Sequence, residues 1–278
     1  MNPYLGPIKA LDSRRADLRR ILTILTSARA AIARADLQVL CVSHRNGDPV
    51  TGLDREINRL IQCNLPFQNE GWLSEESHDD LQRLQYQRVW MVDPIDGTRE
   101  LVEGIPEWCV SVGLVEKSRV VAGGILNPCT GEMFLGSLET GLKTLHLAGL
   151  QTRPRTGERK KSCTIRSYER VVVSRKEYRE GKWDSFESGR MKIIPVGSVA
   201  FRLALVAAGC AEATCTFGPR NEWDIAAGAA LVQASGGTLQ TLSGKPILFN
   251  NRVPRLERFC AFSRDCSTDV RGLLSAAA

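Results

Sequence analysis

The pattern of hydrophobic and polar positions changes about half-way along the chain. Residues 12–35 place apolar side chains at helical spacing, which predicts an amphipathic packing helix. Residues 107–116 alternate with the two-residue period of a strand, and strand-like runs follow at 120–126 and 133–138. Consecutive strands of this kind predict an antiparallel sheet in the first half of the chain.

A second helix is predicted from a start signal near residue 51. Thr51 is suited to the N-cap position and Asp54 to the third helical position. The apolar residues of this helix form one stripe, at Leu53, Ile57, Leu60 and Ile61. Asp54 is therefore expected to cap this helix.

The second half of the chain alternates strands with helices. Strand-like runs occupy residues 171–173, 193–196, 211–215 and 258–263, and helical patterns occupy 198–209 and 224–235. Between the halves, residues 139–165 lose periodicity and gather Gly, Pro, Arg and Lys. We therefore expect two domains: an N-terminal α+β domain over residues 1–158 and a C-terminal α/β domain over residues 159–278.

Composition narrows the class of protein. The chain has 278 residues, 43% of them hydrophobic, which suits a large folded core. Its nine cysteines are scattered and include no Cys-x-x-Cys pair, and no signal-peptide pattern is present. We expect reduced, mostly buried thiols, a cytoplasmic location and no zinc site. No apolar run is long enough to span a bilayer, so no membrane partner is expected.

The charge balance favours an anionic ligand. The net charge is +6, from 37 basic and 31 acidic residues. Much of the excess lies in residues 153–161, which contain no aromatic side chain and are typical of a solvated loop. We therefore expect a small anionic ligand and no nucleic-acid partner.

Candidate chemistry is concentrated where the apolar run 89–92 ends. Asp93 and Asp96 are three residues apart, and Pro94 predicts a bend that lets both carboxylates point into one crevice. A hard divalent cation such as Mg²⁺ would relieve their repulsion. A short helix beginning at Gly97 and Thr98 would offer free N–H groups to a phosphate. On turn chemistry alone, an ordinary polar turn explains the residues equally well.

Three motifs carry a resemblance to a known family. The segment Asp93-Pro-Ile-Asp-Gly-Thr98 resembles the first signature of the lithium-sensitive, metal-dependent phosphatases typified by inositol monophosphatase. Trp223-Asp-Ile-Ala-Ala-Gly228 resembles the second signature, and Leu73-Ser-Glu-Glu-Ser77 resembles the acidic motif upstream. The resemblance covers residues 45–245. It implies a layered αβαβα sandwich of the sugar-phosphatase type.

The resemblance also implies the site residues. The metal ligands would be Glu75, Asp93, Asp96, Asp224 and the Ile95 carbonyl, which together suit two or three Mg²⁺ ions. Asp54, Glu75 and Thr98 would act on the attacking water, and the N–H groups of Gly97 and Thr98 would hold phosphate oxygens. Helix capping by Asp54 or Asp224 is compatible with these roles. Inhibition by Li⁺ is expected.

The substrate is suggested by one further segment. Phe217-Gly-Pro-Arg-Asn-Glu-Trp223 is similar to a pattern of the 3′(2′),5′-bisphosphate nucleotidases, although Arg220 stands where that branch has Thr. Phe217 falls where inositol monophosphatases carry an acidic residue. Arg175 and Arg220 are candidates to bind a second phosphate, and ordinary surface charge explains them equally well. Glu222 is a further substrate-binding candidate.

These inferences predict a Mg²⁺-dependent phosphomonoester hydrolase. The expected reaction is removal of the 3′-phosphate of adenosine 3′,5′-bisphosphate by a metal-activated water. Inositol monophosphatase or fructose-1,6-bisphosphatase activity is the alternative, and a non-catalytic metal- or nucleotide-binding protein is a third. The expected partner is a small-molecule phosphate ester, and a homodimer is left open.

Overall fold

The computed structural model describes residues 5–37, 40, 42–45, 48–147, 168–186 and 190–276. Its helices are α1 Leu5–Ile32, α2 Gly52–Asn64, α3 Thr98–Val102, α4 Arg175–Arg179, α5 Val199–Ala207, α6 Glu222–Ala234 and α7 Thr268–Ala276. The strands of the first half are β1 Val42–Arg45, β2 Asp48–Thr51, β3 Gly71–Ser74, β4 Arg88–Asp96, β5 Cys109–Glu116, β6 Arg119–Asn127, β7 Glu132–Ser137 and β8 Gly141–His146. Those of the second half are β9 Glu169–Ser174, β10 Met191–Val196, β11 Ala213–Cys215, β12 Arg220–Asn221, β13 Thr238–Thr241, β14 Arg255–Leu256 and β15 Phe259–Phe262.

The first half forms a six-stranded sheet in the order β3-β4-β5-β6-β7-β8. β3 is parallel to β4, and every later neighbour is antiparallel, which confirms the predicted antiparallel sheet. Strand β8 lies in the stretch that was expected to lack regular structure, so that expectation is wrong there. Most of β8 is exposed, and it therefore lacks the alternation that marks a half-buried strand.

Helices α1 and α2 cover one face of this sheet. Ile21 and Leu25 of α1 and Ile57 of α2 belong to one buried cluster with Trp90 and other strand residues. The approach is close, because a Cβ added at Gly124 would lie 2.4 Å from Ile21 Cγ2. In the described part of the chain, no helix, α1 included, combines the length and apolar character needed to cross a membrane.

Helices α5 and α6 cover the other face of the same sheet and form the centre of the molecule. A Cβ at Gly123 would lie 2.5 Å from the Ala227 carbonyl oxygen, so only glycine lets α6 come this near the sheet. Within the layer, a Cβ at Gly228 would lie 2.4 Å from Leu203 Cβ. The predicted close packing of the Ala- and Gly-rich helix is thus confirmed.

The second sheet lies beyond the central helices, in the order β10-β9-β11-β15-β13. β9 is parallel to β10 and β11, whereas β15 is antiparallel to β11 and β13. Its far face packs on α7, where Val270 and Leu274 share a buried cluster with Val171 and Val173. The succession of layers is therefore helix, sheet, helix, sheet, helix, which confirms the predicted αβαβα sandwich. The proposed division between residues 158 and 159 falls outside the described residues and stays a prediction.

One pair of cysteines corrects the expectation of reduced thiols. Cys215 and Cys260 form a disulfide. They face each other across the antiparallel pair β11 and β15, a juxtaposition that a sequence separation of 45 residues does not reveal. Among the described residues the free thiols are Cys63, Cys109, Cys129, Cys210 and Cys266. Cys41 and Cys163 lie outside the described residues.

Candidate active site

A cavity of about 520 Å³ lies where the two halves of the chain meet. Glu75, Asp96 and Asp224 line it, and with the adjoining Asp54 and Asp93 we call these residues the carboxylate cluster. The cavity is also lined by cationic side chains, the cationic wall: Arg99, Arg175, Lys176, Arg202, Arg220 and Arg255. The cavity thus brings an acidic and a basic surface together in one space.

Asp93 and Asp96 lie at the end of β4, but the local geometry differs from the prediction. The strand continues through Pro94 as far as Asp96, with an irregular register between Asp93 and Asp96. The Ile95 N–H donates to Asp93 Oδ1 at 3.0 Å. The chain turns at Gly97, whose φ of 100° suits glycine. The predicted bend at Pro94 is therefore a bulge in the strand, because pairing with β5 resumes beyond it.

Asp54 is held at the start of α2 by the predicted capping box. The Thr51 N–H donates to Asp54 Oδ2 at 2.9 Å, and the Thr51 hydroxyl contacts the same oxygen. The other oxygen, Oδ1, accepts a hydrogen bond from the Thr98 hydroxyl at 2.9 Å. That hydroxyl also lies 3.0 Å from the Ile95 carbonyl oxygen. The structure therefore brings Asp54, Thr98 and Ile95 together.

Asp96 is anchored by the second half of the chain. The Ser198 hydroxyl and the Ala200 N–H each donate to Asp96 Oδ2 at 2.6 Å. Ser198 is the N-cap of α5 and also accepts the Phe201 N–H at 2.9 Å. The start of the central helix therefore orients a carboxylate of the first signature.

Asp224 has the same local arrangement as Asp54. It is the third residue of α6, and its Oδ2 accepts the N–H of the N-cap Asn221 at 3.0 Å. In Asp93, Asp96 and Asp224 alike, one carboxylate oxygen is anchored by a protein donor. This leaves the second oxygen of each residue as a donor atom for a cation.

The carboxylate cluster carries more negative charge than its surroundings compensate. Burial, followed by repulsion from Asp224 and Asp96, raises the pKa of Glu75 to about 8. Burial and the neighbouring Asp96 raise the pKa of Asp224 to about 7. Burial also raises the pKa values of Asp93 and Asp96. Anionic oxygens that repel one another at short range are the environment in which a hard cation binds.

The donor set fits Mg²⁺ in its chemistry. The candidate side-chain donors are carboxylate oxygens, the Ile95 carbonyl would add a further oxygen, and the described residues that line the cavity include no cysteine or histidine. Among the described residues, no three acidic, histidine or cysteine side chains form a ready-made cage for a metal ion. The site therefore offers the donors that Mg²⁺ prefers without a closed coordination shell.

Gly97 and Thr98 line the cavity, and their phosphate-binding role stays a prediction. A Cβ at Gly97 would lie 3.0 Å from Trp108 Cβ, so a larger residue would disturb this corner. Helix α3, which begins at Thr98, has only five residues. Its macrodipole is correspondingly small, and any attraction for phosphate rests on individual N–H groups.

Arg175 and Arg220 reach the cavity but already have acidic partners. The Arg175 guanidinium contacts Glu107, whose carboxylate also accepts the Gly197 N–H at 2.9 Å. The Arg220 guanidinium lies 3.4 Å from Glu177. These pairs hold the two arginines in the cationic wall, and a role of either arginine in binding phosphate stays a prediction.

Glu222 is not brought into the cavity, which corrects its assignment as a substrate-binding residue. It is fully buried, and its carboxylate accepts the N–H groups of Asn250 at 2.6 Å and Asn251 at 3.0 Å. The Asn251 side chain donates to it as well, at 2.6 Å. Glu222 therefore holds the 250–251 loop against the start of α6, a structural role that the motif alone does not reveal.

Comparison with known proteins decides the family. The model of the inositol monophosphatase family matches residues 15–264. The chain belongs to the inositol monophosphatase family. This confirms the resemblance of the three motifs, and it makes the chain a phosphatase.

Two sequence relatives and one solved structure are similar to this inositol monophosphatase family member over most of its length. The 3′(2′),5′-bisphosphate nucleotidase CysQ of Escherichia coli is 28% identical over 214 residues, which cover 76% of this chain and 83% of that protein. The fructose-1,6-bisphosphatase/inositol-1-monophosphatase of Thermotoga maritima is 32% identical over 203 residues, or 71% and 73% of the two chains. The crystal structure of extragenic suppressor protein SuhB from Bartonella henselae has a TM-score of 0.71 at 24% identity, covering 94% and 98% of the chains. The last of these shows the common fold.

Some residues of this family member's site were not predicted. Arg202 was overlooked because it stands in an apolar helical run, where a single charge signals little. Glu107 was noted only as part of a strand motif, and its contact with Arg175 spans 68 residues.

Phe217 does not line the cavity; its ring packs on Trp183 with 4.7 Å between centroids. The position therefore offers the substrate neither an acidic group nor an aromatic face.

Proposed function

We propose that the chain is a Mg²⁺-dependent phosphatase that removes one phosphate from a small bisphosphate, with adenosine 3′,5′-bisphosphate as the first candidate and its 3′-phosphate as the group removed. The observation that carries this proposal is the cationic wall beside the carboxylate cluster. A substrate with one phosphate at the carboxylate cluster and a second on the wall would use both surfaces. The similarity to the Escherichia coli nucleotidase supports the choice of nucleotide.

The metal ligands would be Glu75, Asp93, Asp96, Asp224 and the Ile95 carbonyl, and we propose two or three Mg²⁺ ions. When bound, such ions lower the pKa of a coordinated water and neutralise charge on the phosphate. The hydrogen bonds to Asp93, Asp96 and Asp224 would keep the ligand oxygens oriented. Family members in general use Mg²⁺, which agrees with the all-oxygen donor set.

Thr98 would orient the attacking water, with Asp54 behind it. The single hydroxyl proton of Thr98 lies within hydrogen-bond distance of Asp54 Oδ1 and of the Ile95 carbonyl oxygen. With that proton engaged, the Thr98 oxygen accepts a hydrogen bond from a water in the cavity. The water is thereby held with a lone pair free to attack, and Glu75 would contact it from the cavity wall.

Fructose 1,6-bisphosphate is the second candidate substrate. Among the described residues that line the cavity, none is aromatic, so none offers a stacking face for adenine. A sugar bisphosphate needs no such face and would use the cationic wall in the same way. The Thermotoga maritima relative supports this alternative by its name. Inositol 1-phosphate, with one phosphate, would leave the wall without an anion.

The test is phosphate release by the purified protein in Mg²⁺, with and without Li⁺. Adenosine 3′,5′-bisphosphate, fructose 1,6-bisphosphate and inositol 1-phosphate are compared at equal concentrations. We expect both bisphosphates to exceed inositol 1-phosphate and the nucleotide to be the best substrate. A preference for inositol 1-phosphate would contradict the bisphosphate proposal, and no release from any of the three would contradict the assignment of substrate.

A cytoplasmic location, a homodimer and the lack of a nucleic-acid partner remain predictions. Sedimentation or light scattering of the purified protein tests the homodimer. Retention of an oligonucleotide at low salt would contradict the third prediction, because electrostatic binding to nucleic acid is strongest there.

A further inference from the structure

Glu100 is an acidic residue of the cavity that has no part in the proposed reaction. It stands in the short helix α3, and its exposed fraction is 9%, yet the residue lines the cavity. The other acidic lining residues in the described part of the chain, Glu75, Asp96 and Asp224, all belong to the carboxylate cluster. Glu100 therefore needs a separate explanation.

Glu100 lies at the boundary between the carboxylate cluster and the cationic wall. A Cβ added at Gly197 would lie 2.5 Å from Glu100 Cγ and 2.8 Å from its Oε1, so the carboxyl group rests against the backbone at Gly197. On one side of this contact, the Ser198 hydroxyl donates to Asp96 of the cluster at 2.6 Å. On the other side, the Gly197 N–H donates at 2.9 Å to Glu107, which contacts the cationic wall. A substrate that spans both surfaces would pass the Glu100 carboxyl group.

The protein leaves most of the acceptor capacity of Glu100 unused. Among the described residues, no cation lies at salt-bridge distance from its carboxyl group, and the donor that approaches this group is the backbone N–H of Glu100 itself. Burial raises the pKa of Glu100, and repulsion from Asp96 and Glu107 adds to the rise against the attraction of Arg175. A carboxyl group so placed is stabilised by a donor that a ligand brings into the cavity.

The position and the chemistry of Glu100 indicate which group of a ligand it binds. A carboxylate repels a phosphate, whereas a hydroxyl donates a hydrogen bond to it without carrying charge. In a bisphosphate that has one phosphate at the cluster and the other on the wall, the part that passes Glu100 is the sugar with its hydroxyls.

We propose that Glu100 accepts a hydrogen bond from the substrate hydroxyl on the carbon next to the one that carries the reacting ester. Glu100 thereby selects phosphates of sugars and other polyols over their deoxy analogues. The hydroxyl is the 2′-hydroxyl of adenosine 3′,5′-bisphosphate, or the C2 hydroxyl of fructose 1,6-bisphosphate when its 1-phosphate reacts. This role of Glu100 rests on the proposed function, which places the reacting ester at the carboxylate cluster.

The first experiment compares substrates that differ only in this hydroxyl. The ratio of kcat/KM for adenosine 3′,5′-bisphosphate over its 2′-deoxy analogue is measured for the wild type, Glu100→Met and Glu100→Gln. Fructose 1,6-bisphosphate over 2,5-anhydro-D-mannitol 1,6-bisphosphate, which lacks the C2 hydroxyl, forms the sugar arm. Because each variant is compared with the wild type on the same pair, the difference in intrinsic reactivity between the two substrates cancels.

Glu100→Met should lower the ratio roughly 10- to 100-fold in the arm of the better substrate, as for loss of a hydrogen bond to a charged group. Glu100→Gln keeps one carbonyl oxygen as an acceptor and should lower the ratio less. A merely structural role would lower kcat/KM equally for both members of a pair. Such an equal fall, or an unchanged ratio in Glu100→Met, would overturn the proposal.

Glu103→Met is the matched control for removing a carboxylate at this short helix. Glu103 follows α3 as its C-cap residue, but it is exposed and does not line the cavity. We expect this variant to leave both ratios within about twofold of the wild type. A fall as large as that in Glu100→Met would overturn the proposal, because the effect would then come from the charge near α3 and not from contact with the hydroxyl.

A binding measurement separates failure of this proposal from failure of the proposed reaction. Binding of the same four compounds is followed by calorimetry with Ca²⁺, which also takes oxygen ligands, in place of Mg²⁺. Tighter binding of the hydroxyl-bearing member by the wild type, lost in Glu100→Met and kept in Glu103→Met, would support the role of Glu100 even if no substrate is hydrolysed. Equal binding of both members by the wild type, or binding of none of the four, would overturn it.

Discussion

The carboxylate cluster and the cationic wall face the same cavity, but they are held in different ways. Asp54 and Asp224 are each anchored by the N-cap residue three positions earlier, and Asp93 by the N–H two positions later. In the wall, Arg175 pairs with Glu107 across 68 residues and Arg220 with Glu177 across 43. Most of the acidic surface is therefore built by short motifs, whereas the basic surface depends on the assembled fold.

The two surfaces also differ in the direction in which burial shifts the pKa values of their charged groups. Burial and mutual repulsion raise the pKa values of Glu75 and Asp224, whereas burial and Arg220 lower the pKa of Arg202. Each surface is thus less favourable alone than with a ligand of the opposite sign. Cations bound at the carboxylate cluster and a phosphate bound at the cationic wall would each reduce this unfavourable charge. Local anchoring therefore positions most of the carboxylate cluster, whereas tertiary packing positions the cationic wall.

The largest expected effect comes from removing a charge of the carboxylate cluster. Asp93→Asn should lower phosphate release roughly a thousandfold, since it deletes a ligand charge while its Oδ1 contact with Ile95 can be kept. It should also raise the melting temperature measured without Mg²⁺, because repulsion within the cluster falls. Asp265→Asn, at an exposed position, is the control and should change neither. Full activity in Asp93→Asn would show that the cluster does not bind the metal.

Thr98 tests the orientation of the water. Thr98→Val removes the hydroxyl but keeps the shape, and we expect kcat to fall by about 10²-fold with a smaller change in KM. Thr98→Ser keeps the hydroxyl next to Asp54 and should retain most of the activity. Steady-state kinetics on both variants decides the matter. An equal fall in kcat for Thr98→Val and Thr98→Ser would mean that the site depends on the shape of the Thr98 side chain and not on its hydroxyl.

A smaller effect is expected from the wall. Arg175→Gln should raise KM for a bisphosphate by about tenfold and change kcat little, because the residue would contact the phosphate that does not react. The effect stays modest because Arg175 is already paired with Glu107. Initial rates over a range of substrate concentrations give both constants. A fall in kcat at unchanged KM would instead place Arg175 at the reacting phosphate.

The smallest effect on activity, with a clear effect on stability, is expected at Glu70, outside both surfaces. Burial alone would raise its pKa, but hydrogen bonds from Arg20, Trp90 and the Phe67 N–H lower that pKa to about 2. Because the folded pKa lies below the ordinary value of 4.5, the stabilisation is present above about pH 4.5 and is lost as the pH falls towards 2.

Glu70→Gln should therefore lower the free energy of unfolding by about 2–3 kcal/mol at neutral pH and leave activity within twofold. The difference from the wild type should shrink on acidification. Urea unfolding of both proteins at pH 7 and pH 3 measures this difference in the free energy of unfolding. A difference that grows at low pH would contradict the sign derived from the Glu70 pKa.

Several features of the fold and site were predictable because their cause is local. The capping box of Thr51 and Asp54 and the alternation of residues 107–116 each follow from neighbours along the chain. The exposed strand Gly141–His146 and the bulge at Pro94 were missed, since both depend on pairing with a neighbouring strand. Glu222 was misassigned for a related reason: its partners Asn250 and Asn251 lie 28 and 29 residues away.

By itself, the sequence determined the family, the αβαβα layering through that family, and the carboxylates that could bind a metal. These are properties of short motifs, because a cap, a turn or a strand period involves residues only a few positions apart. Only the tertiary structure decided that Ser198 anchors Asp96, that Cys215 meets Cys260, and that Arg202 is buried on the cavity wall. Burial and charge compensation depend on which distant segments pack together, and no local pattern contains that information.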